Sequence, residues 1–115
     1  MIVTNSEMQR RPYQERRSNY LKLKVKYPDK IPVIIETTES LNLPSNQYLV
    51  EKSTNMCTFH GFIRNRLDIE PHQAIFLTVN GNLMPSSMSL SEIHSKYKNE
   101  DEFLYFRLSL ENTFG

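Results

Sequence analysis

The sequence predicts a single α+β domain in which a mixed β-sheet carries a helix on one face. Two short strands follow each other closely, as in a hairpin, and an amphipathic helix then separates them from further strands. Strands in that order require both antiparallel and parallel neighbours in one sheet. The 115 residues, 38% of them hydrophobic, are enough for one domain with a modest core.

The first half of the chain predicts a helix and two strands. Pro12 can stand in a first helical turn because its missing N–H has no partner there, and Pro28 ends the helix. An apolar stripe along this helix, suited to lie on another element, consists of Tyr13, Tyr20, Leu23 and Tyr27. Residues 31–36 form a β-branched run, and residues 47–51 form a second strand. Residues 1–9 are expected to be flexible.

The second half predicts two helices and two strands. Asn55 is a plausible N-cap for an amphipathic helix, whose inner face carries Phe59, Phe62, Ile63 and Leu67. Residues 74–79 are almost entirely apolar, which favours a central strand. A turn at residues 80–82, a short helix capped by Ser89 and Glu92, and a strand at residues 103–110 follow.

The resulting order is helix, β, β, α, β, α, β. This is the ubiquitin-like β-grasp layout, with the hairpin followed by a crossover helix and with a helical extension in front. The expected organisation is an N-terminal extension over residues 1–27, a β-grasp core over residues 28–110 and a flexible C-terminal tail over residues 111–115.

Composition excludes several classes of protein. A single cysteine, Cys57, rules out an intramolecular disulfide and a multi-cysteine zinc site, and it suits a reducing compartment such as the cytosol. No apolar run approaches the roughly 18 residues that span a bilayer. The first twenty residues lack the apolar core of a signal peptide.

Charge is distributed unevenly. Residues 1–30 contain eight Lys or Arg residues and three acidic residues, a net charge of +5, although the whole chain carries only +1. Such a face can attract acidic peptides, anionic lipid, tubulin tails or nucleic acid, or it can simply be solvated. No nucleic-acid reader motif accompanies it, so nucleic acid is not an expected partner.

Catalytic and metal sites are not expected. Cys57 lies at the amino end of a predicted helix, where a thiol pKa can fall, but no oxyanion-hole motif or orienting partner is recognisable. Cys57 and His60 lack a second pair of ligands, and His72 and His94 are isolated in the sequence. The chain is therefore expected to be a non-enzyme without cofactor or metal.

Seven blocks of sequence resemble one known family. They are residues 16–18 (RRS), 27–36 (YPDKIPVIIE), 47–50 (QYLV), 62–67 (FIRNRL), 74–80 (AIFL and VN), 101–105 (DEFLY) and 111–115 (ENTFG). In this order they resemble the autophagosomal ubiquitin-like modifiers, the family of GABA-receptor-associated protein and microtubule-associated protein light chain 3. Each block is weak alone, but together they extend from about Arg10 to Gly115.

The resemblance implies conjugation rather than catalysis. Gly115, preceded by Phe114, would be activated by an E1-like enzyme, passed to an E2-like enzyme and joined to phosphatidylethanolamine, with a cysteine protease for removal. The protein would be a cytoplasmic monomer that moves to autophagosomal and preautophagosomal membrane when lipidated. The sequence does not say whether Gly115 is an encoded end, a processed end or a truncation.

The resemblance also implies docking of short motifs, an aromatic and an aliphatic residue three apart, by strand addition to residues 47–50. The aromatic pocket would consist of Leu23, Pro32, Ile34, Leu49 and Phe103. The aliphatic pocket would consist of Tyr48, Val50, Met56, Phe59, Phe62 and Arg66. Lys26 and Lys30 would contact acidic residues of receptors and adaptors. For the apolar members, Phe59 and Ile34 in particular, plain core packing is the alternative.

Four positions depart from the family pattern. Gln47 replaces a lysine, Glu51 a proline, Thr54 an apolar residue and Asn19 an acid. Loss of a positive contact and gain of a negative one predict a weaker or altered preference for acidic motifs. A further alternative is an unconjugated β-grasp adaptor that binds acidic partners through residues 22–30.

Overall fold

The computed structural model describes residues 2–4 as a strand by their backbone, and residues 11–37, 41 and 43–111. Its elements, in chain order, are β1 (Ile2–Thr4), α1 (Tyr13–Lys26), β2 (Lys30–Thr37), β3 (Gln47–Glu51), α2 (Met56–Arg64), β4 (Ala74–Val79), β5 (Asn82–Leu83), α3 (Leu90–Tyr97) and β6 (Leu104–Glu111).

The strands form one mixed sheet in the order β1-β3-β2-β6-β4-β5. β2 and β6 pair in parallel at its centre, with Val33 opposite Leu104, and the other neighbours are antiparallel. The hairpin of β2 and β3, the crossover through α2 and the parallel central pair confirm the predicted β-grasp arrangement.

Side chains of the sheet alternate between its two faces. Val33 and Ile35 of β2 belong to the main hydrophobic cluster with Phe59 and Ile63 of α2. The rings of Phe59 and Phe106 lie 5.2 Å apart within it. Burial of each such side chain contributes about 1.5–3 kcal/mol, so this face supplies most of the apolar stabilisation.

The opposite face carries a smaller cluster. Ile34 points away from its neighbours in β2 and packs with Tyr20 of α1 and with Phe103, and Leu23 and Tyr105 cover their margins. Tyr20 meets Phe103 edge to face, with ring centroids 5.8 Å apart. The predicted apolar stripe of α1 therefore lies on the sheet, although Tyr13 remains exposed.

Local chemistry fixes the ends of the helices and one turn. The side chain of Asn55 accepts a hydrogen bond from the N–H of Thr58, and Ser89 and Glu92 form the predicted capping box. Asn80 and Gly81 both adopt positive φ, as a two-residue hairpin turn requires. This confirms the turn between β4 and β5.

The structure departs from the sequence prediction in three places. β1 lies within residues 1–9, which were expected to be flexible without a strand, and β5 was not predicted. β4 is not central: β6 lies between it and β2, and burial alternates along it, so Phe76 and Thr78 are only half-buried. The expectation was wrong because β4 pairs on its outer side only with the two residues of β5. Among the described residues, no helix is long and apolar enough to cross a bilayer.

Candidate motif-docking strand and conjugation tail

The predicted docking strand is β3. Tyr48 and Val50 face α2 and belong to the main cluster. Gln47 and Leu49 stand opposite Ile34 and Pro32 of β2 and share their face, which is the α1 face. Residues 47–50 are buried, and only Glu51 of the five residues of β3 is partly exposed. A ligand at β3 would therefore have to use the backbone edge of the strand and the partly exposed side chains that border it.

On the α2 side, most residues of the predicted aliphatic pocket are closed. Tyr48, Val50, Met56 and Phe59 are at most 5% exposed. This burial favours the core-packing alternative for Phe59, which is completely inaccessible. The remaining two residues, Phe62 and Arg66, are partly exposed.

Phe62 and Arg66 form a cation–π pair that packs on Tyr48 of β3. Tyr48 meets Phe62 edge to face at 5.8 Å, and the guanidinium of Arg66 lies 5.3 Å from the Phe62 ring centroid. Tyr48 donates its hydroxyl to the carbonyl of Ser45 at 2.6 Å. Burial raises the pKa of Tyr48, although Arg66 opposes the shift. Phe62 and Arg66 are thus the accessible part of this set.

On the α1 side, the predicted aromatic pocket is closed in the same way. Ile34 and Phe103 are completely buried, Leu49 is 1% exposed and Pro32 is buried beneath α1. Leu23 alone among the five predicted residues is half-exposed. Burial again favours core packing for Ile34, and access on this side depends on how α1 lies on the sheet.

The two predicted cationic contacts differ. Lys26 is exposed, and its ammonium lies 5.5 Å from the Tyr27 ring centroid. Lys30 is instead engaged by Glu51, with Nζ 2.9 Å from Oε1. The hydrogen bond from Lys30 is the largest cause that lowers the pKa of Glu51 to about 2. At neutral pH the charge of Lys30 is therefore partly compensated within the protein.

The other three departures from the family pattern have structural roles. Gln47 is 2% exposed, so it does not present an amide where a lysine side chain would reach out. Asn19 donates its side-chain amide to the carbonyl of Glu15 at 2.9 Å. The backbone N–H of Thr54 donates to the carbonyl of Glu51 at 2.9 Å, in the turn that follows β3.

A polar clamp between α1 and the loop before β6 was not predicted. Asp101 is completely buried; it accepts hydrogen bonds from Arg16 Nε at 2.8 Å, from the backbone N–H of Phe103 and from the hydroxyl of Tyr105. Arg17 pairs with Glu102 at 3.0 Å. The sequence signal was present, since residues 16–17 and 101–102 are two adjacent bases and two adjacent acids, but nothing in the sequence brings them together.

The clamp depends on one unusual backbone conformation. Glu102 has φ +75°, which a residue with a side chain rarely adopts. The backbone N–H of Glu102 donates to the carbonyl of Asn99 at 2.9 Å, and Tyr13 donates its hydroxyl to the carbonyl of Glu100 at 3.1 Å. This tight turn presents Asp101 and Glu102 to the first two turns of α1.

The residues set aside as catalytic or metal-binding candidates are not brought together. Cys57 is exposed and borders an apolar cavity of about 310 Å³ between α2 and β4 that also includes His60. His60 Nε2 lies 3.1 Å from the carbonyl of Ile75, and His94 Nε2 lies 2.7 Å from that of Glu102. In the part of the chain that the structure describes, no group of three or more His, Cys, Asp or Glu residues could hold a metal ion.

The conjugation tail follows β6. Glu111 is the last residue of that strand and is exposed, so the strand extends one residue into the predicted tail. Phe114 and Gly115, which the sequence singled out for lipid conjugation, lie outside the described residues.

Comparison with known proteins assigns the family. Residues 15–115 match the family described as autophagy protein Atg8 ubiquitin like. The chain is 37% identical over 107 residues to autophagy-related protein 8d of Arabidopsis thaliana, covering 90% of this chain and 89% of that protein. It is 36% identical over 107 residues to autophagy-related protein 8 of Emericella nidulans, covering 90% and 91%.

A solved structure agrees with the sequence comparison. The crystal structure of ATG8 from Trypanosoma brucei superposes with a TM-score of 0.83 at 32% sequence identity, covering 97% of this chain and all of that one. The chain therefore belongs to the Atg8 family of autophagy-related ubiquitin-like proteins.

Proposed function

We propose that this protein is joined through Gly115 to phosphatidylethanolamine and then recruits partners that carry short aromatic-x-x-aliphatic motifs. The observation that carries this proposal is the family match, which extends to residue 115. The protein would be cytoplasmic before conjugation and on autophagosomal membrane afterwards. Its partners would be E1-like and E2-like enzymes, a cysteine protease and motif-bearing receptors.

The chemistry of the proposed tail supports conjugation. Glycine has no Cβ, so its carboxylate can enter a narrow channel and be approached by a bulky amine. Phosphatidylethanolamine brings two acyl chains, and two chains anchor a protein stably where one chain is marginal. Conjugation would therefore supply the membrane attachment without a spanning helix.

Reconstitution tests the conjugation. The protein is incubated with the E1-like and E2-like enzymes of an Atg8 system, ATP and phosphatidylethanolamine liposomes, and its intact mass is measured. We expect the mass to rise by one phosphatidylethanolamine less one water. A chain without Gly115 should gain nothing. Thr113→Ala, which keeps Phe114 and the terminal glycine, serves as the matched control and should gain the same mass as the wild type.

Failure of the intact chain, with both enzymes active on another Atg8 protein, would overturn the conjugation. The unconjugated adaptor would then be favoured. One surface supports that second function: α1 presents Lys22, Lys24 and Lys26 to solvent, beside Val25, which is 84% exposed. An acidic partner would be sought on this face.

Motif docking is supported by β3 and by the partly exposed residues beside it, which are Phe62 and Arg66 on the α2 side and Leu23 on the α1 side. A motif would add to the backbone of β3, with one side chain near Phe62 and Arg66 and the other near Leu23. The Glu51–Lys30 pair supports the predicted weaker preference for acidic motifs, because Lys30 must leave an internal carboxylate to meet an external one.

Peptide titration tests the docking. A labelled peptide with Trp and Leu three apart should bind, and the same peptide with both replaced by Ala should not. Phe62→Ala should weaken binding by about tenfold, which corresponds to about 1.4 kcal/mol. Phe76→Ala is the matched control, since Phe76 is a half-buried aromatic residue on β4, at the other side of the sheet. Equal losses in the two variants would contradict docking at β3.

A further inference from the structure

A strand that the sequence did not predict runs along the outer edge of the hairpin. β1 pairs antiparallel with β3, with Ile2 opposite Leu49, Val3 opposite Tyr48 and Thr4 opposite Gln47. The inner edge of β3 pairs with β2. β3 therefore has a neighbour on both sides, and β1 forms the end of the sheet.

This pairing and motif docking require the same backbone groups. In an antiparallel pair, each backbone N–H or C=O points to one neighbour only, and a paired group is not available to a second strand. The N–H of Ile35 donates to the carbonyl of Asn46, and from there the hydrogen bonds alternate along the hairpin. The backbone groups of Gln47 and Leu49 therefore point outward, where an added peptide needs them, and β1 covers both. β1 and a peptide cannot be paired with β3 at the same positions simultaneously.

We propose that Ile2–Thr4 is an intramolecular occupant of the docking strand, which a motif must displace before it can pair with β3. The inference rests on the proposed docking function and adds its regulation. Docking affinity is then set by the contacts of the motif and also by how firmly the first strand holds its place.

The length of β1 suits a reversible occupant. β1 is an edge strand of only three residues, and its few hydrogen bonds contribute little to stability in water. The segment is nevertheless part of the same chain, joined to α1 through residues 5–12, and a short tether gives an effective concentration in the millimolar range. The measured Kd of a motif equals its intrinsic Kd divided by the open fraction.

Two substitutions in the full chain test the proposal. Thr4→Pro removes an N–H of β1 that faces β3 and fixes its φ, which a strand of three residues cannot absorb. Thr4→Val keeps the N–H and the β-branched shape and is the matched control. Each variant is titrated with a labelled peptide carrying Trp and Leu three apart with neutral flanks, and amide hydrogen exchange is measured across residues 47–49.

We expect Thr4→Pro to bind the peptide about tenfold more tightly than the wild type, with faster exchange at Gln47 and Leu49, while Thr4→Val changes neither by more than about twofold. A variant with glycine at positions 2, 3 and 4 should change both in the direction of Thr4→Pro, without a proline. The glycine variant separates release of the strand from any effect of the proline ring, and an unchanged melting temperature shows that each variant is folded.

The remaining outcomes separate the two proposals. Faster exchange with unchanged peptide affinity would overturn the competition and leave docking at β3 intact. Unchanged exchange in both strand-breaking variants would overturn the pairing itself. If no variant binds the peptide although exchange accelerates, the docking function fails, and the competitor role fails with it.

Discussion

The two faces of the sheet are held to their helices in different ways. On the α2 and α3 face, sixteen of the described residues form one buried apolar cluster. On the α1 face the buried apolar cluster of described residues consists of Tyr20, Ile34 and Phe103, and the buried carboxylate of Asp101 joins the helix to the sheet. The first face is stabilised mainly by its large buried apolar area, and the second by a few hydrogen bonds and ion pairs. Single substitutions can therefore alter the α1 face without disrupting the main cluster.

This difference matters for function because the proposed docking strand lies between the two faces. Tyr48 and Val50 anchor β3 in the large cluster, which fixes its position. Leu23 and the α1 side of β3 depend on the smaller cluster of Tyr20, Ile34 and Phe103. A change on the α1 face should therefore alter docking while the domain remains folded, and a change among the buried residues of the α2 face should destabilise the whole domain.

The largest expected effect comes from the main cluster. Phe59→Ala removes a completely buried ring and should lower the free energy of unfolding by about 3–5 kcal/mol. Urea denaturation followed by circular dichroism measures it. Tyr13→Ala, which removes a 44% exposed ring from α1, is the control and should cost less than about 1 kcal/mol. A loss below about 1 kcal/mol for Phe59→Ala would contradict the importance of this cluster.

The polar clamp should give the next largest effect. Asp101→Asn keeps the shape of the side chain but leaves the partly buried Arg16 without its charge partner, and we expect a loss of about 2–3 kcal/mol. Limited proteolysis should then cleave within α1 before it cleaves the sheet. Combining Asp101→Asn with Arg16→Met in a double-mutant cycle isolates the pair. Additive losses would show that the two side chains act independently.

His94 makes the smaller face sensitive to pH. Its ring stacks on Tyr20 at 6.1 Å, and burial lowers its pKa, helped by Lys98 and Lys24, while the Glu102 carbonyl and carboxylate oppose the shift. In the unfolded chain the group binds a proton near pH 6.5, and in the folded protein it does so at lower pH. Its contribution to stability is therefore complete above about pH 6.5 and is lost as the pH falls below that value.

We expect the free energy of unfolding to fall as the pH drops below about 6.5, with a slope below about 1.4 kcal/mol per pH unit from this one group. His94→Gln should flatten that slope, whereas His72→Gln, which changes an exposed histidine, should not. Glu51 and Glu102, whose pKa values are lowered by ion pairing, act only below about pH 4.5. Identical profiles for His94→Gln and the wild type would contradict the assignment.

The same contrast explains what the sequence could predict. Elements of the large face carry strong periodic signals, such as Phe59, Phe62 and Ile63 on α2, and their local caps at Asn55 and Ser89 can be identified from residue types alone. The family resemblance placed the candidate site residues on β3 and its neighbours. It did not distinguish buried members such as Phe59 and Ile34 from the accessible Phe62 and Leu23, because that depends on packing.

The features that the sequence did not predict are long-range or very short. Arg16 and Asp101 lie 85 positions apart, and only the parallel pairing of β2 with β6 brings the loop before β6 beneath α1. β1 has three residues, too few for alternation to be recognised. Its pairing is decided by an edge that exists only after β2 and β3 have formed the hairpin.

The smallest expected effect concerns Glu51 at the margin of β3. Glu51→Gln releases Lys30 from an exposed ion pair, so stability should change by less than about 1 kcal/mol. A peptide with acidic flanks should bind up to about fivefold more tightly, since Lys30 is then free to meet it. Asp29→Asn is the control: it makes the same change of charge beside Lys52. It should leave peptide affinity unchanged.

The effect of Glu51→Gln must be separated from release of the first strand, because Glu51 ends the strand on which β1 lies. In the Thr4→Pro background β1 no longer competes, so any remaining gain from Glu51→Gln reports Lys30 alone. That gain should shrink at high salt, as expected for exposed charges. If it disappears in the Thr4→Pro background at low salt, Glu51 acts by holding the first strand on β3 and not by neutralising Lys30.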